Sequence, residues 1–592
     1  MALTTEQIEQ QRKQAEELLF SGPQTLGFAK GLFFGHFNAP LLFPYPQLSA
    51  EEAPVAAQAV ADVKRFAEEH IDATAIDRNS EIPANVVEGL GQLGVLGMTA
   101  PKEYGGRAFS QLAYTKIMEV IGGHCASTAV FVNAHHSIGI RALLLFGTKE
   151  QKEQWLPPLV KGEKLAAFAL TEPEAGSDAS NVQTTATPTP DGKAYVLNGT
   201  KRWITNGGIA DVLTVMARTP GAGGADKKKE ITAFLVTPDL PGFKVLEKRM
   251  EKVGIRGTAT ARLAFENMVV PAENILWKVG KGLKIALTVL DFGRTTFGAS
   301  CTGVAKTCVR AAATHAKKRV QFQQPLSEFE LVKKKIAYMA AHAFAMEATT
   351  AECASFIDRG FEDYMLETAM LKVWSTEALW QIVNDTLQIW GGKGFFTDEP
   401  FERMLRDARL NQIGEGANDV LRAFIAVVGI KPVADQFLKV KSALGNPLRG
   451  FGTLLSFGGS QIKARLTKPE VPVQSRDLAG HARDLAGLVR DFSLAVQKML
   501  MKHREAILFR QYVQERIADA ACELYASSCT LSRLDSLLMN GNGNPTEVAR
   551  DVKIGRYFLT ISARRVRQCL AALWDNDDAE TTPTADAVLE RY

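Results

Sequence analysis

Apolar positions along the chain follow a helical spacing, then an alternating one, then a helical one again, and these changes of period divide it. Between residues 50 and 163 apolar side chains recur three and four apart. This predicts helices over 50–71, 83–93, 110–122, 127–146 and 149–159, an all-helical first domain. A polar helix over 4–19 and an aromatic, glycine-punctuated segment over 27–45 precede it, the latter expected to wrap onto another part of the protein. From residue 164 the period shortens. Strands are predicted over 165–170, 194–197, 201–205, 212–217, 232–236 and 261–270, separated by Pro-Asp-Gly and Gly-Gly turn signals. A run of this kind suits a compact β-barrel or sandwich, with 221–229 as a hairpin tip. The helical period returns over 282–318, 328–358, 363–390, 399–410 and 418–430, and long helices with short joints imply a bundle. Residues 444–468 break the pattern. Three further helices are predicted over 476–504, 511–539 and 545–575, before a polar tail.

The expected fold is therefore mainly α with a central β-domain. Its parts are a wrapping segment (1–49), an N-terminal helical domain (50–163), a β-barrel domain (164–277), a helical bundle (278–432), a basic Gly-rich linker (433–475) and an additional C-terminal helical domain (476–592). At 592 residues the chain exceeds what one hydrophobic core can organise. A hydrophobic content of 46% and a net charge of +4 fit a globular protein and argue against nucleic acid as the partner. Seven scattered cysteines without a C-x-x-C pair suit a reducing compartment and no metal site. Residues 1–20 do not read as a secretory signal and no apolar run is long enough to span a membrane, so secretion is not expected; the expected location is a bacterial cytoplasm or mitochondrial matrix, there with contact to the inner membrane face as one option.

Several stretches could carry chemistry. In Ile413 to Arg422 a single carboxylate, Glu415, stands between Gly414 and Gly416 just before a predicted helix. Such an acid could act as a base against closely approaching backbone; equally, it could be one more charge at a helix start capped by Asn418 or Asp419. Leu170 to Asp178 ends a strand in hydroxyls and glycine, suited to a polar ring edge or a phosphate, or to an ordinary capped turn. In Lys201 to Gly208, alternation would put Trp203 and Thr205 on one face of a strand, as for a flat heteroaromatic ring, although a core Trp fits as well. Arg319 to Phe322 and Gln388 to Phe395 each close a helix. No Rossmann or Walker glycine pattern is present.

Taken together and in order, these motifs resemble the acyl-CoA dehydrogenase family. The carrying residues are Leu170 to Asp178 (LTEPEAGSD), Trp203 to Gly208 (WITNGG), Val253 to Gly257 (VGIRG), Asp291 to Arg294 (DFGR), Arg319 to Phe322 (RVQF), Gln388 to Phe395 (QIWGGKGF) and Ile413 to Arg422. Phe43 to Pro46, Ala134 to Gly139 and the region beyond Pro432 are similar to its very-long-chain branch. The resemblance implies α,β-dehydrogenation of long-chain acyl-CoA thioesters in fatty acid β-oxidation, with FAD as cofactor and electron-transfer flavoprotein as acceptor. It makes Glu415 the catalytic base. For FAD it implies Phe168, Leu170, Thr171, Gly176, Ser177, Trp203, Thr205, Arg319, Gln321, Phe322, Gln388, Gly391, Gly392, Ala417 and Asp419; for the acyl-CoA, Ser177, Asp291, Arg294 and Gly416.

The same resemblance implies a homodimer, in which Arg319, Phe322, Gln388 and Gly392 meet the neighbouring subunit's FAD. This chain departs from the family pattern at three places. Gly293 stands where some members carry an alternative base, Ala417 where a threonine often follows Glu-Gly, and Gln323 where a glycine usually follows RVQF. Ala129 and Asn133, near Phe131, fall where the long-chain branch has small residues at the end of its acyl tunnel. Other functions in the family are an acyl-CoA oxidase using oxygen and an assembly-factor scaffold for respiratory complex I. Residues 436–468 hold six Lys or Arg and no acid among apolar residues, which fits peripheral membrane contact or a linker.

Overall fold

A computed structural model describes residues 26–220, 230–445, 467–540 and 544–592. The predicted helix over 4–19 and the hairpin tip over 221–229 lie outside the described residues, as does most of the basic stretch 436–468. The N-terminal domain contains the helices Glu52–His70, Ala84–Gln92, Gln111–His124, Ala126–Val132 and Lys149–Lys161, close to the expected ranges, and a short helix, Ala73–Asn79, that the periodicity did not show. Contrary to the expectation from the sequence, Ala126–Phe146 is long and apolar enough to cross a membrane by length and composition, yet 72% of its most apolar 18-residue window is buried inside the protein. Within it, Asn133–Ile140 widens to a π-helix. Such a wide turn re-aims side chains and is often found at functional sites.

Seven strands form one sheet: β1 (Ala166–Ala169), β2 (Thr185–Pro188), β3 (Ala194–Ile204), β4 (Val212–Thr219), β5 (Glu230–Val236), β6 (Phe243–Glu247) and β7 (Ala261–Pro271). Their order is β1-β4-β2-β3-β7-β6, with β5 also paired to β4. Strands β2 and β6 were absent from the periodic reading. The two strands expected over 194–205 are a single strand whose register against β7 shifts between Lys201 and Ile204. That bulge overturns the alternation argument. Lys201 is fully buried and Trp203 is 51% exposed, although period two would put them on one face. Thr205 lies beyond the strand, in the following turn.

The bundle is built from Gly282–Lys318, Glu330–Asp358, Met365–Trp390, Phe401–Asn411 and Asn418–Gly445. The last of these runs past residue 430, where the periodic signal had ended, and continues through Pro432. Ala479–His503, Gln511–Asn540 and Pro545–Ala571 add a second helical layer, and Asp578–Leu589 is helical where a polar tail was expected. One continuous apolar core joins this layer to the bundle. The aromatic segment after residue 26 lies between them: Phe28 meets Tyr525 at 6.1 Å, and Phe33 meets Phe492 at 5.0 Å. Ion pairs across the same boundary, Arg422 with Asp519 at 2.8 Å and Arg533 with Glu347 at 2.8 Å, orient the layer that hydrophobic burial holds.

Candidate active site

The turn after Phe401–Asn411 begins as a normal helix end, with the N–H groups of Ile413 and Gly414 both donating to the Leu410 carbonyl at 2.8 Å. Glu415 then adopts φ +56° and Gly416 φ +96°. Left-handed backbone is open to glycine but costs another residue about 1 kcal/mol or more. A side chain held there against its preference marks a functional turn.

The Glu415 carboxyl points into protein. Asn133 Nδ2, from the π-helical segment, donates to Oε1 at 3.0 Å, and Oε2 is buried with no partner among the described residues. Facing it is Gly293 on Gly282–Lys318, where an added Cβ would lie 2.4 Å from Oε2. The carboxyl thus occupies room that a side chain at residue 293 would fill. Burial pushes its pKa up to about 7, against the opposing pull of Arg294, Lys372 and the Asn133 hydrogen bond. The Glu415 N–H has no partner among the described residues.

Other groups hold the turn in place. Lys372, fully buried on Met365–Trp390, donates to the Gly416 carbonyl at 2.7 Å and to Asn418 Oδ1 at 2.9 Å. Asn418 does not cap its helix: its side-chain nitrogen donates to Thr376 Oγ1 at 3.0 Å and Glu377 Oε1 at 2.8 Å. Ala417 is half-buried and Asp419 points outward, with Arg422 at 3.5 Å. Upstream, Asp407 accepts from the Ile255 N–H at 2.5 Å, so the VGIRG loop of the β-domain is tied to the helix that leads into the turn.

The strand-end loop lies at the bulge of β3. Arg202 N–H donates to the Thr171 carbonyl at 3.0 Å, bringing Thr171 beside Trp203. Trp203 has φ +60° and Asn206 φ +62°, and Asn206 donates to the Phe131 carbonyl at 3.1 Å. Behind them, Lys201 donates to the Leu170 carbonyl at 2.9 Å and pairs with Glu172 at 2.7 Å. Burial works against the charge on Glu172, but Lys201 and the Thr184 and Gln183 donors outweigh it, leaving its pKa below the ordinary value. This buried pair fixes the loop on which Gly176 and Ser177 stand exposed, while Phe168 and Leu170 are half-buried.

A separate surface gathers Arg319, Gln321, Phe322, Gln388, Gly391 and Gly392, all exposed. The two helix ends carrying them meet where His315 stacks on Trp390 at 4.2 Å. Phe322 is 88% exposed. Asp291 and Arg294 are both buried, 3.2 Å apart, and Thr368 donates to Asp291 at 2.8 Å. Burial raises Asp291 to about 6, and Arg294 acts on Glu415.

Asn133 was expected at a tunnel end. It lines a cleft with Ala129, Phe297 and Val304, but it also bonds Glu415 directly. The periodic reading missed this role, together with Glu172, Lys201, Lys372 and Asn418. A lysine inside an apolar helix pattern, as at residues 371–373 (LKV), was the available signal for Lys372.

An acid held in a strained turn, buried and poised near neutrality, can take a proton from carbon. The exposed indole at Trp203 and the bare backbone of Gly176 leave room for a flat cofactor, and on the separate surface Gly391 and Gly392 are equally bare, an added Cβ meeting nothing within 4 Å among the described residues. Comparison with known proteins agrees in kind. Models of the acyl-CoA dehydrogenase N-terminal, middle and C-terminal domains match residues 56–163, 167–268 and 280–429. A fourth, the ACAD9/ACADV C-terminal domain, matches residues 476–590. The chain is 36% identical over 567 residues to the mitochondrial very long-chain specific acyl-CoA dehydrogenase of Mus musculus, covering 93% of this chain and 84% of that protein. It is 34% identical over 617 residues to the probable acyl-CoA dehydrogenase FadE10 of Mycobacterium tuberculosis, covering 100% and 93%. An acyl-CoA dehydrogenase complexed with FAD from Bacillus anthracis superposes with a TM-score of 0.76 at 28% identity, over 94% of each chain.

Proposed function

Because the chain belongs to the acyl-CoA dehydrogenase family, in the branch with the extra C-terminal helical domain, we propose that it converts long-chain acyl-CoA to trans-2-enoyl-CoA with Glu415 as base. It is an oxidoreductase of fatty acid oxidation in a flavoenzyme family. The observation that carries the base assignment is the Glu415 carboxyl itself, strained in its backbone, buried opposite Gly293 and raised to about 7.

Thr171, Trp203 and Thr205 would hold the FAD ring, with Gly176 and Ser177 beside it, and the exposed group Arg319, Gln321, Phe322, Gln388 and Gly392 would meet the FAD of a second copy. FAD, when bound, supplies the acceptor for the hydride that leaves the substrate β-carbon. Glu415 removes the α-proton. Its raised pKa makes it a stronger base than an ordinary carboxylate and leaves it ionised above pH 7. The Glu415 N–H, without a partner among the described residues, would donate to the thioester oxygen, whose developing charge must be stabilised for the α C–H to ionise. Asn133, Arg294 and Lys372 favour the ionised carboxyl.

Electron-transfer flavoprotein is the proposed acceptor and a homodimer the proposed assembly, supported by the exposed apolar side chains Phe322, Phe395 and Phe396. Anaerobic addition of palmitoyl-CoA to the FAD-loaded protein tests the reading. The expected result is bleaching of the flavin band, abolished in Glu415→Gln. No bleaching by any acyl-CoA of a chain-length series would overturn it.

A further inference from the structure

Lys372 is fully buried, and its Nζ is bonded to a backbone carbonyl and an amide oxygen, not to a carboxylate, among the described residues; burial pulls its pKa down to about 7. It lies one helix away from the base and spends its charge on backbone. Its Nζ holds the carbonyl of Gly416, the residue after Glu415, at 2.7 Å, and Asn418 Oδ1 at 2.9 Å. Asn418 in turn reaches Thr376 and Glu377, four and five residues along the same helix, and Gln412 Nε2 reaches Glu377 Oε2 at 2.8 Å. The turn 412–418 is therefore fastened at both ends and in its middle to one face of Met365–Trp390. The fastened segment is the one whose two central residues sit at φ +56° and +96°.

A buried cation is expensive unless something requires it. Here two needs coincide. The strained turn relaxes if the Gly416 carbonyl is released, and the carboxyl of Glu415, buried with one oxygen unpartnered among the described residues, needs positive charge nearby to ionise. The groups facing Lys372 are Glu415 on the turn, Arg294 and Cys301 on Gly282–Lys318, and Glu377 on its own helix. Burial is the largest influence and works against the charge on Lys372; of the facing groups Glu415 opposes it most strongly. Lys372 and Glu415 thus form a through-space pair in which each stabilises the charged form of the other.

We infer that Lys372 is a positioning residue for the base: its ammonium clamps the left-handed turn that carries Glu415 and favours the ionised carboxylate, without touching substrate. This rests on the proposed role of Glu415, and the experiment separates the two. Lys372→Met keeps the volume and apolar stem and removes the charge; Lys372→Arg keeps the charge; Asn418→Ala loosens the far end of the clamp and keeps Lys372. The first readout, independent of turnover, is amide hydrogen exchange of residues 410–421 in the full-length protein. Exchange there should rise at least tenfold in Lys372→Met and in Asn418→Ala, with Lys372→Arg nearer the parent.

The second readout is the pH profile of flavin bleaching. Lys372→Met should move its acid limb upward by a unit or more and lower kcat by a hundredfold. Dissociation constants for a non-reacting acyl-CoA thioether should stay within threefold of the parent. Unchanged exchange at 410–421, or an unmoved pH limb with kcat within threefold, would overturn the inference. If the parent protein itself fails to bleach, the proposed function falls, and the exchange experiment still decides whether Lys372 clamps the turn.

Discussion

Replacing Gly293 by alanine isolates the position of the base from everything else in the protein. The new methyl carbon would stand 2.4 Å from Glu415 Oε2 and 3.1 Å from Ile138 Cδ1. An unstrained contact between such atoms needs a separation larger by about 1 Å, and the movable partner is the end of the glutamate side chain, not backbone. The carboxyl therefore shifts by about 1 Å, a displacement that costs on the order of 10²-fold in rate when reacting atoms must be aligned, or about 2.7 kcal/mol of barrier. Stability should move the other way. Residue 293 lies inside the long helix Gly282–Lys318, and alanine is favoured over glycine there by about 1 kcal/mol. Gly293→Ala should thus melt at or above the parent temperature while its anaerobic bleaching by palmitoyl-CoA slows a hundredfold. Bleaching within threefold of the parent, in a folded variant, would refute the assignment of the carboxyl at that spot as the base.

Two more tests are independent of turnover. The Glu415 carboxyl is raised from 4.5 to about 7 in the folded protein, so as pH rises through that window the unfolded chain ionises first and the folded state loses up to about 3 kcal/mol. Glu415→Gln should therefore be no more stable than the parent below pH 4.5 and more stable above pH 7, in denaturant melts across that range; a constant difference at every pH would contradict the burial argument. In the hairpin Val320–Gln321/Gln324–Pro325, the two turn residues Phe322 and Gln323 have φ +51° and +66°. Gln323→Gly should raise stability by up to about 1 kcal/mol, less the entropy glycine loses on folding, and a lower midpoint would count against backbone strain there.

The order of helical and alternating stretches was legible because each element buries one face, and burial imposes its own period on the sequence. Gly282–Lys318 spans its predicted range for that reason. Strands β2 and β6 escaped because neither buries an apolar run: β2 is Thr-Ala-Thr-Pro with one buried residue, and β6 is largely exposed. The helix Asn418–Gly445 was cut short at Pro432, since a proline normally ends the pattern, yet here the helix continues through it.

By itself the sequence determined the succession of helical, β and helical segments and, through rare motifs in one order, the family and the candidate base. Only the tertiary structure decided how that base is held. Lys201 and Trp203 lie two apart and yet face opposite ways because a bulge interrupts β3. Gly293, Asn133 and Lys372 come from three separate segments and converge on one turn. Periodicity records which side of an element is buried. It carries no information about which buried side chain meets which, because that depends on how the elements pack across distances the local pattern does not span.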